Sequence, residues 1–393
     1  MPLTGLRIID LTRVISGPFC TMLLADLGAD VIKIEPPEDG DPIRTQGSGR
    51  EGLSWYFAAF NRNKRSVTLD LKTEDGRLAL EKLIAGADAL IDNFRPGVLA
   101  RLGFDADRLQ AIRPGLVTCS VTGFGPDGPY RDRPAFDFIA QAMSGFMSVN
   151  GRPGDPPLRT GLPISDLVSG IYGALGVCAA LMRRERTGES DHVDVSLTNS
   201  MISLLAYVAS HYFATGEVLP RTGNDHPIAS PYGLFRTRDG QIAIAPSDNT
   251  FFGRLMDALD LSALKTDADF ADNQLRVRHR ARLNALVEGK LGEQDSAHWI
   301  SLLNAAGVPC GPVYDMDGVF SDPQVLAQDM VLDVPHGAHG SVRMLGFPIK
   351  FASAPCTVRR PAPGFGEHTA ELLGELGYSA ADQAALRARG VTR

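Results

Sequence analysis

Over its first two hundred residues the chain switches repeatedly between short apolar runs and helical periodicity. That alternation constrains the fold more than any other feature, because it specifies parallel strands joined by helical crossovers. A strand is expected over residues 6–11. Ser16, Gly17 and Pro18 then read as a helix start, with a cap residue and a proline in the first turn. This helix runs through Leu23, Leu24 and Leu27 and ends at Gly28. Further strands fall over 30–34, 66–71, 89–92 and 116–121, with a helix over 73–85. Segments 165–182 and 197–212 are helical and strongly apolar, split by a short strand over 192–197, and such helices belong in a core or at a subunit interface. The fold class is α/β, a Rossmann-like large domain with a mostly parallel sheet.

The character changes near residue 215. Segment 217–231 is polar and rich in Gly and Pro, as a connection is. Strands over 231–236 and 241–245, joined through Arg238, Asp239 and Gly240, predict a β-hairpin. Polar-faced helices follow over 250–259, 277–291 and 296–305. The 393 residues exceed the roughly 100–200 expected of one domain. We therefore divide the chain into a large domain begun by 1–215, a linker and small α+β domain over 216–325, and a return to the large domain over 326–393. That return carries strands over 341–351 and helices over 367–376 and 380–388.

Composition narrows function by exclusion. With 39 basic and 46 acidic residues the net charge is −7, and no Lys/Arg block supplies the positive surface that nucleic-acid binding needs. A small anionic ligand held by a few placed cations stays open. The five cysteines are scattered and odd in number, which fits a reducing, cytoplasmic setting better than a disulfide framework or a zinc site. The N-terminus reads as a strand rather than a signal peptide. The apolar run over 171–182 is too short to span a bilayer, so no membrane partner is expected.

Among the motifs, GFGPDG at 123–128 matches the dinucleotide fingerprint in letters only. Pro126, Pro129 and Pro134 forbid the helix that would hold a pyrophosphate, so a turn-rich loop is expected. The histidines show no metal-ligand spacing, and no G-x-S-x-G elbow is present. Cys119, late in a strand, reads as a small buried hydrophobe sooner than as a nucleophile. The most informative stretch is RTGLPISDLVSG at 159–170. Asp166 stands at the start of an apolar helix, where Ser165 or Asp166 could simply be the cap. A carboxylate there is also expected to stay ionised beside the helix N-terminus, and an ionised Asp in a dry pocket can attack an acyl centre. Two clusters sit on sheet connections: Asn61 to Arg65, leading to Lys72, and Asn93, Phe94 and Arg95, followed by Arg101. Each suits phosphates, with plain solvated charge as the alternative.

These segments, in order, resemble the class III CoA-transferases, the family of formyl-CoA, carnitine and succinyl-CoA transferases. The likeness rests on GLRIIDLTRVISGP at 5–18, LGADVIKIEP at 27–36, NKRS at 63–66 and NFRPG at 93–97. It continues through GFG at 123–125, GLPISD at 161–166, GVPCGP at 307–312 and the segment 364–369. The resemblance implies that the Asp166 carboxylate attacks a donor thioester, forming first an anhydride and then an aspartyl-CoA thioester that the acceptor acid attacks. A free Asp pKa of about 3.9 would require no general base at neutral pH.

By the same resemblance, coenzyme A or its acyl thioester is a substrate, with no tightly bound cofactor and no metal. Ile15 and Ser16 should lie near the CoA thiol, and Leu69, Asp70, Leu71 and Lys72 near the nucleotide. Asn93, Phe94, Arg95 and Arg101 should line the rest of the groove, with Phe136 and Asp137 beside the nucleophile. Formyl-CoA transferases carry Gln where this chain has Ile15, and a glycine-rich lid absent from 215–235, so formyl-CoA and oxalate are not the expected substrates. The position after Glu35, often basic in relatives, is Pro36. The competing α-methylacyl-CoA racemases need a His-Asp pair, and here Phe136 precedes Asp137. A non-catalytic CoA-binding protein is the remaining alternative. The hairpin at 231–240 and the run 307–312 look most like succinyl-CoA-dependent dicarboxylate transferases such as the glutarate one. Arg13, Arg159 or a residue of the small domain would then hold the acceptor's second carboxylate. The family also implies an interlocked, ring-like homodimer.

Overall fold

Along the chain come β1 (Arg7–Asp10), β2 (Asp30–Glu35), a ribbon of β3 (Gly49–Arg50) and β4 (Leu53–Ser54), β5 (Lys64–Thr68), β6 (Ala89–Asp92), β7 (Val117–Thr122) and β8 (His192–Ser196). The computed structural model describes residues 1–47, 49–50 and 53–393. Apart from the ribbon, these strands form one sheet in the order β5-β2-β1-β6-β7-β8, with every pairing parallel. Neighbouring residues face opposite sides, as the two-residue repeat of a strand requires. Ile9, Ile32 and Leu90 enter one core, while Ile8, Val31 and Ile91 enter the other. Burial on both faces explains why these strands read as continuous apolar runs. Counted within the sheet the order is 3-2-1-4-5-6, so the winding reverses between β1 and β6, and ligands bind beyond the carboxyl ends of strands at such a point.

The helices of this half are α1 (Ser16–Asp26), α2 (Trp55–Asn61), α3 (Glu74–Ala85), α4 (Val98–Arg101), α5 (Ala106–Ile112), α6 (Asp137–Met143), α7 (Phe146–Val149), α8 (Ile164–Thr187), α9 (Leu197–Ser203) and α10 (Ala206–Thr215). The chain divides into two units: Met1–Phe146 with Arg159–Ala206 and Gln324–Arg393, and Met147–Leu158 with Tyr207–Pro323. The first holds the parallel sheet. Its C-terminal part adds an antiparallel pair, Val331–Pro335 with Ser341–Leu345, and the helices Thr369–Glu375 and Ala380–Ala388, whose Leu372, Leu373 and Leu386 complete the first core. The second unit has its own core around Phe235, Leu255, Leu283 and Trp299. Its antiparallel sheet joins β9 (Gly233–Arg236), β10 (Gln241–Ile244) and β11 (Cys310–Pro312).

Several local expectations change. Ser16 does not cap α1: Ile15 holds the cap position without a side-chain hydrogen bond, and Ser16 is already helical. The expected strand over 66–71 runs instead over Lys64–Thr68, because Lys64 and Arg65 are buried and paired rather than solvated. The helix over 197–212 breaks into α9 and α10. Helix α8 spans 24 residues, longer than its apolar run suggested and long and apolar enough to cross a bilayer. It nonetheless lies against the sheet, with Ala174, Val177 and Leu181 in the second core. Neither α8 nor α10 is wholly buried: Leu175 is 62% exposed, and α10 buries no residue.

Candidate active site

The chain leaves β1 and turns into α1 through Thr12–Ser16, and buried charge holds that turn in place. Asp10, at the end of β1, accepts from the Thr12 amide at 2.9 Å and from Thr21 Oγ1 at 2.7 Å. Lys64 Nζ donates to Asp10 at 3.0 Å and to Asn61 Oδ1 at 2.9 Å. Lys33 Nζ donates to the Thr12 carbonyl at 2.8 Å and pairs with Asp41 at 2.9 Å. Asp41 Oδ1 in turn receives the Val14 amide at 3.1 Å, in the left-handed turn where Val14 has φ 68°. Burial opposes every one of these charges, yet Lys64 and Lys33 hold Asp10 below the ordinary carboxylate value. Burial brings Lys64 down to about 8.

The cluster from Asn61 to Arg65 is thus neither a phosphate site nor a solvated patch. All five residues are buried, and Arg62 and Asn63 bind Asp26 while Arg65 binds Asp30, Glu371 and Glu375. A buried charge survives only when paired, and spacing along a sequence does not reveal a partner three hundred residues away.

The second wall comes from the turn after β6. Asp92 accepts from the Phe94 amide at 3.0 Å and from Ser120 Oγ at 2.9 Å. Asn93 clasps the first turn: its Oδ1 accepts the Arg13 amide at 2.9 Å and its Nδ2 donates to the Arg13 carbonyl at 2.8 Å. Arg13 lies over the Phe94 ring, 5.2 Å from its centroid.

The third wall is the start of α8. Its cap position is Pro163, which offers no side-chain acceptor, and neither Ser165 nor Asp166 caps it. Asp137 does so from α6: Oδ1 accepts the Ser165 amide and the Ser165 hydroxyl, each at 2.9 Å, and Oδ2 accepts from Gln141 at 2.7 Å. Supplying the cap from elsewhere leaves the Asp166 side chain free, and among the described residues nothing donates to its carboxylate. Helices α1 and α8 meet closely because Gly170 lacks a Cβ, which would lie 2.8 Å from the Ser16 carbonyl oxygen.

The three walls enclose a cavity of about 370 Å³. Arg13, Ile15, Ser16, Asn93, Phe94, Arg95, Phe136 and Asp166 all line it. Leu69, Asp70, Leu71 and Lys72 line a second cavity of about 240 Å³ that shares Arg13 and Phe94 with the first. Pro36 is part of that second wall. Asp137 is buried behind the cavity. Arg101, at the end of α4, and the exposed Arg159 line neither space.

Other residues that line the cavity were not among the expected site residues, Val14, Thr122, Arg131 and Arg133 among them. The two arginines sit in the loop that had been set aside as a failed dinucleotide motif. Tyr56 was missed as well; burial raises its hydroxyl pKa, and the charges of Asp166 and Asp137 raise it further.

The electrostatics correct one expectation. Asp166 does not keep an ordinary carboxylate pKa: burial, reinforced by the Asp137 charge, pushes it up to about 7. The helix N-terminus does not offset that desolvation. Arg13, Arg95, Arg131 and Arg133, all exposed, line the same cavity as Asp166, and among the described residues none of the four has a carboxylate within ion-pair distance. No histidine lines the space, and among the described residues no three His, Cys, Asp or Glu side chains converge as metal ligands would.

A parallel α/β sheet that places, among the described residues, an unpartnered carboxylate and unpaired guanidiniums at one cavity suits an anionic substrate. The sequence profile of CoA-transferase family III matches residues 3–369. An acetyl-CoA:oxalate CoA-transferase of Acetobacter aceti is 40% identical, over 95% of this chain and 96% of its own. A succinate–glutarate CoA-transferase of Agrobacterium fabrum is 36% identical over the same shares. The crystal structure of a CAIB/BAIF family protein from Brucella suis superposes with a TM-score of 0.85 at 40% identity, covering 96% of this chain and 99% of that one. The chain belongs to CoA-transferase family III, and it is an enzyme that moves CoA between an acyl-CoA and a carboxylic acid.

Proposed function

We propose that this transferase passes CoA to a small dicarboxylic acid through covalent intermediates on Asp166. The observation that carries the reading is the Asp166 carboxylate itself, which among the described residues is unpartnered, at a cavity lined by four guanidiniums that are likewise unpaired. In the proposed cycle, an oxygen of Asp166 attacks the donor thioester carbonyl. The C–S bond breaks, giving a mixed anhydride and CoA thiolate. The thiolate attacks the aspartyl carbonyl of the anhydride, releasing the donor acid and leaving an aspartyl-CoA thioester. The acceptor carboxylate attacks this thioester, expelling thiolate and forming a second anhydride. Thiolate then attacks its acceptor carbonyl, which releases product thioester and regenerates the carboxylate. Each anhydride competes with water, so the site must exclude it.

In this reading Ile15 and Ser16 face the thiol, Asn93, Phe94 and Arg95 line the pantetheine path, and Leu69 to Lys72 face the nucleotide; the continuity of the two cavities through Arg13 and Phe94 supports that order. Relatives named for succinate, glutarate and oxalate support a dicarboxylate as acceptor or donor acid. They also restore oxalate to the candidates, although Ile15 stands where formyl-CoA transferases carry Gln. Exposed Ile171 and Leu175 on α8 support a homodimer; its interlocked form rests on the resemblance alone. The five unpaired cysteines support a reducing, cytoplasmic setting.

The test mixes the enzyme with succinyl-CoA or acetyl-CoA and a panel of acids including oxalate, glutarate and their monocarboxylate analogues. New thioesters should form, and intact-protein mass spectrometry should find a CoA adduct that disappears in Asp166→Ala. Transfer retained by Asp166→Ala would remove Asp166 from the mechanism. A preference for monocarboxylates would remove the acceptor class.

A further inference from the structure

Arg131 and Arg133 lie on the loop between β7 and α6, and nothing in the transfer cycle uses them. The loop is pinched at its base. A Cβ on Gly123 would collide with that of Ala135, and the Gly123 carbonyl accepts both the Thr198 amide at 3.2 Å and the Thr198 hydroxyl at 2.9 Å. Above the pinch, Tyr130 packs edge-on against Phe124, with centroids 5.7 Å apart, and Arg133 stacks on Tyr130 at 3.8 Å. The stacking orders the exposed stem of Arg133, and among the described residues no protein acceptor takes its five donors. Both arginines line the Asp166 cavity, and neither lines the second cavity toward Leu69–Lys72. Arg13, in contrast, lines both.

That distribution separates two kinds of anion. The phosphates of CoA are at the far end of the molecule from its thiol, whereas the acids that exchange on Asp166 must have their reacting carboxylate at Asp166. A cation confined to the cavity of the nucleophile can serve the acyl portion. Arg95 shares that confinement but follows Asn93 and Phe94 on the wall read as the pantetheine path, whereas Arg131 and Arg133 come from the separate loop between β7 and α6. The geometry points to Arg131 and Arg133 as the residues that hold the second carboxylate of the exchanging dicarboxylic acid. They take the role that sequence reasoning gave to Arg13 or Arg159, of which Arg159 lies outside the cavity. Planar guanidinium forks suit a carboxylate because two parallel hydrogen bonds can form, and a site built for such a group rejects an acid that lacks it. This inference rests on the dicarboxylate reading above.

The test measures kcat/KM for glutarate and for butyrate with acetyl-CoA as donor, so that the donor brings no second carboxylate. Wild type, Arg131→Gln, Arg133→Gln and the double variant are compared through the ratio of glutarate to butyrate. Weakened CoA binding or partial misfolding scales both acids alike and leaves the ratio in place. The ratio should fall about 10- to 100-fold for at least one single variant and further in the double variant, with Arg→Lys recovering part of it. A ratio that stays within about twofold of wild type in the double variant overturns the assignment. The dicarboxylate reading fails separately, and visibly, if wild type itself shows no preference for glutarate, oxalate or any other dicarboxylate over its monocarboxylate analogue.

Discussion

Asp166 illustrates how a site can oppose the default chemistry of its own residue. Near a helix N-terminus a carboxylate ordinarily gains from the dipole. Here the amide and hydroxyl of Ser165 are given to Asp137, and burial, reinforced by that second carboxylate, keeps Asp166 from ionising as readily as it would in water. Because attack requires the ionised form, transfer should rise with pH through about 7, the value at which Asp166 loses its proton. Asp137→Asn keeps an oxygen for Ser165 and removes the like charge, so the rising limb of kcat/KM should move to lower pH. A limb that stays in place or moves to higher pH would show that Asp137 does not bear on Asp166. The motif GLPISD was legible in the sequence, but the raised pKa was not, because its causes are burial and a carboxylate 29 positions upstream.

Among elements, the close approach of α1 and α8 decides whether the site exists. Gly170 faces the Ser16 carbonyl, and Gly173 faces Cys20, so the two helices can bring Ile15 and Ser16 beside Asp166. Adding a methyl at Gly170 forces backbone to yield. Gly170→Ala should cost about 1–3 kcal/mol in urea unfolding and reduce transfer, whereas Gly161→Ala, which meets no atom within 4 Å, should stay within about 0.5 kcal/mol of wild type. Equal effects of the two substitutions would refute the packing argument. The stretch RTGLPISDLVSG contains both glycines but does not separate a packing contact from a loop position, since only a neighbouring helix gives Gly170 its constraint. Elements with their own periodicity, such as β6 over Ala89–Asp92 and the helix Ala380–Ala388, fell where they were expected. Boundaries set by paired charge, such as the start of β5 at Lys64, did not.

For the whole molecule, the net charge of −7 says little about what it binds. The acidic balance spreads over the chain, while Arg13, Arg95, Arg131 and Arg133 gather at one cavity and Lys33, Lys64, Arg62 and Arg65 are spent on internal pairs. An anion meets the local field rather than the sum. The apolar side chains that a single copy leaves exposed carry the remaining prediction. Leu175 and Ile171 project from the same face of α8 at 62% and 49% exposure, an apolar pair that a second copy would cover. Sedimentation velocity should find a dimer, and Leu175→Lys should shift it toward monomer at micromolar concentration. A monomeric wild type would count against the homodimer, and a variant that dimerises equally well would count against Leu175 as part of its interface.

The sequence alone determined the α/β class, the β9–β10 hairpin and the resemblance to CoA-transferases. These are properties of local periodicity, turn chemistry and short ordered motifs, which a chain carries in its own neighbourhood. Only the tertiary structure decided which charges are free and which are paired. It buried the cluster from Asn61 to Arg65 and drew Arg131 and Arg133 to the cavity of Asp166. It also gave the α8 cap to Asp137. The physical reason is that the cost of a charge depends on the solvent it loses and the partner it gains, and both are set by residues distant along the chain.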